Sequence, residues 1–482
     1  MSLKQFGKET LIYAIGTVVI RCSAFLLIPL YAHSLSLSEY GLLATLLATI
    51  QIMIMFTGSG MHTCLVRFTN EYEQKNVLHM LLGTTIFIML LGSGLITFIA
   101  TVFLESFFRS ILHTHDVRVY ILLAACASLL QVLTTHLMTY YRAKNMALRY
   151  MVASIGASLL LFVLSFIMLQ VLRAGITGAL AAYIASYAIV FVVVSVDVIA
   201  RTGISVSFHL VPKLLAFGLP LVFSMVGHSV MGDAGTYFLS YYVSLEAVAV
   251  YSLGCKLAQI LVITVGGPFQ FAFQPYVFAN LDDPGMKQRM SRLFTYLLLA
   301  TLFMSLIIPL GTRVLLPLIA PPEYFSAYSV TLLLLPAMGF IGIYYYGETL
   351  LAAVNKTHII GYTVALFAVL SVLLNYTLIP LLMDWHGAVF ASIICYTLVG
   401  LTLWLIGVKT LSIPVEWNKV VASLLLTLSS LLIVCSVQNM SLISFCMITL
   451  SILGLNVMIL LCAGYFDNNE MKAIKSLVLR MD

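Results

Sequence analysis

Charge is what this sequence has least of. Only 9% of its 482 residues are Asp, Glu, Lys or Arg, against roughly 25% in a soluble domain. An ordinary soluble enzyme or binding domain is thereby excluded. Paired cysteines are also missing. Cys22, Cys64, Cys126, Cys255, Cys395, Cys435, Cys446 and Cys462 all lie inside or at the edge of apolar segments, with no CxxC spacing. They read as small apolar residues, not disulfides or metal ligands. The chain has no Walker loop, no nucleophile elbow, no HExxH and no paired carboxylates on a soluble face. No enzyme activity and no cofactor are expected. Nor is a cleavable signal: the polar start, Met1 to Lys8, is short, and the apolar run after it is too long for a signal core.

What the chain does have is apolar length. It is 62% hydrophobic, with a mean hydropathy of +1.08. Fourteen stretches are long enough to span a bilayer as helices: 9–32, 40–66, 77–104, 119–141, 150–172, 176–199, 214–243, 247–277, 292–318, 326–354, 357–383, 386–408, 418–437 and 441–466. Even the longest connections, Glu105–Arg118, Ala200–Lys213 and Phe278–Ser291, have no room for a soluble domain. The first mixes Phe107, Phe108, Ile111 and Leu112 with charges and reads as interfacial. The fold class is an all-α polytopic membrane protein, embedded in a lipid bilayer.

Lys and Arg fix the orientation. With the N-terminus in the cytoplasm, 18 of the 24 basic residues fall in cytoplasmic segments. Arg109, Arg118, Arg173 and Arg313 fall opposite, and Arg21 and Lys256 lie within spans. Both termini are therefore expected in the cytoplasm, which agrees with an even number of spans. The net charge of +6 resides in short loops, so nucleic acid is not an expected partner. Trp385, Trp404 and Trp417 fall near helix ends, as interfacial anchors do.

The chain also repeats. A shift of 211 brings Phe6-Gly7 onto Phe217-Gly218, Gly16 onto Gly227, Tyr31 onto Tyr242, Tyr40 onto Tyr251 and Leu42 onto Leu253. A shift of 209 brings Gly178-Ala179, Ala182 and Tyr187 onto Gly387-Ala388, Ala391 and Tyr396. Two matches at nearly one shift, in the same order, make spans 1–6 and 7–12 copies. The expected division is an N-lobe over 1–200, a C-lobe over 201–410, and two further helices with a cytoplasmic tail over 411–482. A six-span copy enters and leaves on one side, so the copies are related by an axis along the membrane normal, with a cavity between them at mid-depth.

Four charges lie well within spans: Arg21, Asp233, Lys256 and Glu348. An arginine at mid-bilayer costs at least about 2.5–3.5 kcal/mol, so it needs water, a partner or an anionic ligand. In one reading, Arg21 and Lys256 grip an anionic headgroup, Arg as a forked donor and Lys as a point charge. Asp233 and Glu348 then balance them or carry coupling protons. In the other reading, the four are structural salt bridges. Arg21 maps through the repeat onto Gly232, beside Asp233. Gln259, Gln270 and Gln274 follow Lys256 along the same span. The eleven-residue spacing of the first two predicts one helix face, either as a polar lining or as helix-to-helix hydrogen bonds. Arg67, Glu71 and Glu73 cluster at the inner end of the second span, as a cytoplasmic gate or a solvated loop. His62, His136 and His228 have no metal-ligand spacing, and no metal is expected. Gly218-Leu219-Pro220 marks a flexing point or a static bend early in the seventh span.

These residues resemble a known family. Phe6-Gly7-Lys8 precedes a first span with Arg21 and Pro29-Leu30-Tyr31. Ser38-Glu39-Tyr40-Gly41 opens the second span. Phe217-Gly218-Leu219-Pro220-Leu221 opens the seventh, with Asp233 beyond. The pattern is similar to the polysaccharide transporters of the multidrug/oligosaccharidyl-lipid/polysaccharide superfamily, in particular the O-antigen (Wzx-type) flippases of bacterial inner membranes. The resemblance implies two six-helix lobes in a V and alternating access. It implies a cargo of undecaprenyl-pyrophosphate-linked oligosaccharide, moved from the cytoplasmic to the periplasmic leaflet. It further implies basic residues for the pyrophosphate, proton or sodium coupling, and polymerase and other polysaccharide-assembly proteins as partners. Lipid II flippases carry more cavity arginines than this chain has. A cation-coupled multidrug exporter is the alternative within the superfamily, and a non-transporting membrane scaffold is a third class.

Overall fold

The computed structural model describes residues 25–144, 146–281, 283–462 and 465. Among these, every regular element is a helix. The helices are α1 (Phe25–Ser34), α2 (Leu37–Gly58), α3 (Met61–Gln74), α4 (Leu78–Val102), α5 (Glu105–Leu112), α6 (Val117–Ala143), α7 (Ala147–Phe166), α8 (Gly175–Thr202), α9 (Val211–Tyr242), α10 (Leu245–Ala258), α11 (Gly267–Ala279), α12 (Met286–Ile319), α13 (Ala327–Ala353), α14 (Thr357–Leu382), α15 (His386–Leu411), α16 (Trp417–Ser436) and α17 (Leu442–Cys462). In hydrocarbon each backbone polar group must be satisfied inside its own segment, and helices do this. Among the described residues, 12 helices are long and apolar enough to cross a membrane, or 13 with the bent α9 taken as one span. The expected first span, 9–32, lies mostly outside the described residues.

The chain divides into two compact units. The first holds the described part of Met1–Leu253, with Leu318–Phe325 and Val364–Cys395. In it α2, α4, α6 and α8 pack on one another, and α9 packs on α2 and α3. Met61, Leu65, Leu81, Met89, Val132 and Leu137 form part of its core. The second unit holds the described parts of Gly254–Pro317, Ser326–Thr363 and Tyr396–Asp482. There α11 packs on α13, α13 on α16, and α16 on α17. These units are defined by packing. The division at 200 and 410 rests on the helix repeat and is kept as a proposal.

The Ser-Glu-Tyr-Gly stretch has a structural explanation within the first unit. Glu39 closes a capping box on α2: its side chain accepts from the Ser36 backbone N–H at 2.8 Å, while Ser36 Oγ accepts from the Glu39 N–H at 3.3 Å. Tyr40 is buried edge-on against Tyr324, with ring centroids 5.5 Å apart. Gly41 lies directly against the Leu245 backbone. The repeat glycines also do equivalent work. A Cβ on Gly178 would sit 2.6 Å from Ala174 Cβ, and one on Gly387 would sit 2.7 Å from Ile379 Cα. Each glycine lets its helix pack closely on the chain just before it.

Among the irregular spans, the second and the eighth carry expected site residues. The second is broken between α2 and α3, where Ser59 and Gly60 take φ values of 45° and 72°. The Ser59 N–H caps α2 on Met55 and Phe56. The break is packed against α9: a Cβ on Gly60 would stand 2.6 Å from Gly218 Cα. The eighth span carries a π-helical turn, Val262–Gly266, between α10 and α11. Such turns insert one residue into the α-register. The segment expected at the interface forms α5, which buries Phe108, Ile111 and Leu112 and leaves Phe107 half exposed.

Candidate functional site

In the first unit the polar groups line α9. Ser229, Asp233 and Tyr237 are spaced by four and so share a face. Ser229 Oγ donates to Asp233 Oδ2 at 2.8 Å. The Tyr237 hydroxyl meets Thr49 Oγ1 of α2 at 3.1 Å. Thr49 itself donates to the Thr45 carbonyl at 2.9 Å. Asp233 thus sits half-buried in a strip of neutral hydroxyls. The sequence marked only Asp233; the four-residue period was the signal for Ser229 and Tyr237. Arg21 lies outside the described residues.

The residues expected as a gate all lie on α3, which runs to Gln74. Glu71 pairs with Lys75 at 2.9 Å and with Lys213 of α9 at 3.6 Å. Glu73 pairs with Lys144, just after α6. Arg67 is exposed and lies over the Phe68 ring at 5.9 Å. The two glutamates therefore tie α3 to neighbouring elements within the first unit.

The structure also joins two histidines that no spacing connects. The rings of His62 on α3 and His136 on α6 lie 5.3 Å apart. Thr85 Oγ1 of α4 is 2.8 Å from His136 Nε2. Both histidine Nδ1 atoms are buried without a hydrogen-bond partner among the described residues. The break at Gly60 sets the start of α3, and with it the position of His62. Among the described residues no group of three or more His, Cys, Asp or Glu is placed to hold a metal.

In the second unit, Lys256 is half-buried near the end of α10. Beyond it comes the π turn and then Gln270 on α11. Gln270 Nε2 donates to Glu348 Oε2 of α13 at 3.1 Å. Gln259 and Gln274 are exposed, while Gln270 and Glu348 are half-buried. The expectation that Gln259 and Gln270 share a face by their spacing assumed an unbroken α-helix, and the π turn lies between them. Gln270 and Glu348, which the sequence singled out separately, are thus in contact here. A carboxylate held by a neutral amide keeps its capacity to accept other donors, such as a hydroxyl or a proton.

Known proteins share this architecture. The family of polysaccharide biosynthesis proteins matches residues 6–280. An uncharacterized membrane protein of Methanocaldococcus jannaschii is 20% identical over 386 residues, covering 74% of this chain and 75% of that one. The structure of the lipid II flippase MurJ in an inward closed conformation matches with a TM-score of 0.72 at 13% identity. That match covers 93% of this chain and 98% of MurJ. An inward-facing MATE family multidrug resistance transporter of the MOP superfamily matches with a TM-score of 0.63 at 16% identity, covering 82% and 94%. At these identities the two structures share the fold.

Proposed function

The chain belongs to the polysaccharide biosynthesis protein family, and on that premise we propose that it is a flippase for lipid-linked oligosaccharide. Its cargo is an undecaprenyl-pyrophosphate-linked repeat unit of the O-antigen type, moved by alternating access from the inner to the outer leaflet of a bacterial inner membrane. Arg21 and Lys256 bind the pyrophosphate. Asp233 and Glu348 balance these cations or carry a coupling proton. Gln259, Gln270 and Gln274 offer amides to sugar hydroxyls, and Arg67, Glu71 and Glu73 gate the cytoplasmic end.

The observation that carries this reading is the family match over 6–280, because that stretch contains Arg21, Asp233 and Lys256. Charged groups within spans are costly unless they serve a ligand or a partner. The alternative is a cation-coupled multidrug exporter that uses Asp233 and Glu348. It draws on the likeness to a MATE family transporter and on the balance of two deep acids against two deep bases. A gene deletion separates the two. The flippase reading expects surface polysaccharide to be lost and drug susceptibility to stay unchanged. Intact polymer with heightened drug susceptibility would favour the exporter.

A further inference from the structure

A recess lies between α11 and the start of α12. Its volume is about 370 Å³, within the range of small-molecule sites. Phe269, Phe273 and Leu293 line its interior, and Tyr276, Arg289 and Arg292 also face it. All of these belong to the second unit.

The floor of the recess is built from locked aromatic rings. Phe269 stacks on Phe273 at 4.9 Å, and Phe273 stacks on Tyr346 of α13 at 4.9 Å. The Tyr346 hydroxyl donates to the Met290 carbonyl at 3.1 Å, and Phe294 packs on the same ring at 4.8 Å. Phe273 and Tyr346 are buried, so the floor has little freedom to collapse into the space. Its two charged lining residues are both arginines. Arg289 and Arg292 are three residues apart in the first turns of α12, and so are neighbours on one face. Asp283, in the preceding connection, holds Arg289 at 2.5 Å. One carboxylate leaves further guanidinium donors available, since arginine has five.

A purely apolar ligand would not need two arginines, and a small soluble anion would not need the aromatic floor. Together they fit an amphiphile with an anionic head and an apolar chain. Both arginines fall in a segment that the Lys and Arg distribution places on the cytoplasmic side, where basic pockets between spans bind anionic headgroups. We propose that this recess binds an anionic glycerophospholipid of the cytoplasmic leaflet, with the phosphate on Arg289 and Arg292 and an acyl chain against Phe269 and Phe273.

The test uses the purified full chain and native mass spectrometry, with phosphatidylglycerol and phosphatidylcholine as probes. No saccharide cargo is present, so the result does not depend on the flippase reading. Two variants are compared with the parent: Arg289→Gln/Arg292→Gln removes the charge, and Ala272→Trp fills the recess while keeping it. The parent should retain phosphatidylglycerol about tenfold better than phosphatidylcholine, and both variants should lose that preference. Millimolar inorganic phosphate should not displace the lipid. Equal retention of the two lipids, or an unchanged preference in a monodisperse Ala272→Trp chain, would overturn the proposal. Displacement by inorganic phosphate would also overturn it and assign a free-anion site instead. If the double variant does not fold, the Ala272→Trp result decides.

Discussion

Gln270 and Glu348 meet at 3.1 Å within the second unit, joining α11 to α13 just beyond a π-helical turn. The contact gives Glu348 a neutral donor inside a span. A hydrogen bond contributes about 0.5–1.5 kcal/mol net, so the pair has weight whether or not cargo is bound.

The first prediction concerns that pair. Glu348→Ala should lower the rate of polymer export about tenfold, the scale of one hydrogen bond. Gln270→Leu should have a smaller effect in the same direction, because Tyr344 on the same helix also faces Glu348. Export by Glu348→Ala equal to the parent, at matched membrane abundance, would remove Glu348 from the mechanism.

The second concerns the break in the second span. Gly60 has φ +72° and lies against the backbone of Gly218. A Gly60→Val chain has to take a strained conformation costing about 1–3 kcal/mol, and it meets backbone as well. Its melting temperature should fall by several degrees. Gly156→Ala is the control, since a Cβ there meets nothing within 4 Å; it should melt at or above the parent temperature. Equal melting of Gly60→Val and the parent would show that the α2–α3 break is not fixed by this crossing.

Some of this is legible in the sequence. Charges are so scarce that Asp233, Lys256 and Glu348 stand out from the order of residues alone, and every expected span that lies within the described residues falls on a helix or a broken pair. The bend at Gly218-Leu219-Pro220 is also legible, because proline disrupts the helix ladder. The rest depends on tertiary packing. The Ser59-Gly60 pair is short enough to hide within an apolar run, and its crossing with α9 is not visible in the sequence. A π turn lies between Gln259 and Gln270, and apolar periodicity does not announce it. His62 and His136 are 74 positions apart, and no local pattern links them.

The third prediction concerns α3. If Glu73 and Lys144 take part in gating, Glu73→Lys should impair export, and adding Lys144→Glu should restore most of it. The melting temperature should barely move, because an exposed ion pair contributes only about 0–1 kcal/mol. Loss of export in Glu73→Lys with no rescue by the swap would sink the gate.

The fourth concerns pH. Hydrogen bonds from Arg118 at 2.7 Å and Arg109 at 2.8 Å hold the Glu105 carboxyl below its usual range, against a smaller opposing effect of burial. A lowered folded-state pKa means that this stabilisation is complete above the ordinary carboxylate range. It fades as pH falls through that range and below it. Protection factors of the α5 amides, corrected for intrinsic exchange at each pH, should therefore be high and constant near neutral pH and fall on acidification, whereas in Glu105→Gln they should be low throughout. Protection that rises on acidification would contradict the sign.

The central claim is that the chain moves lipid-linked oligosaccharide. The direct measurement reconstitutes the purified protein into vesicles loaded with undecaprenyl-pyrophosphate-linked saccharide and follows exposure of the sugar to an added glycosidase. The account predicts exposure well above protein-free vesicles, falling about tenfold or more in Lys256→Ala as a charge-assisted contact to phosphate is lost. Exposure no faster than in empty vesicles, in preparations that instead drive out a cationic drug, would contradict it.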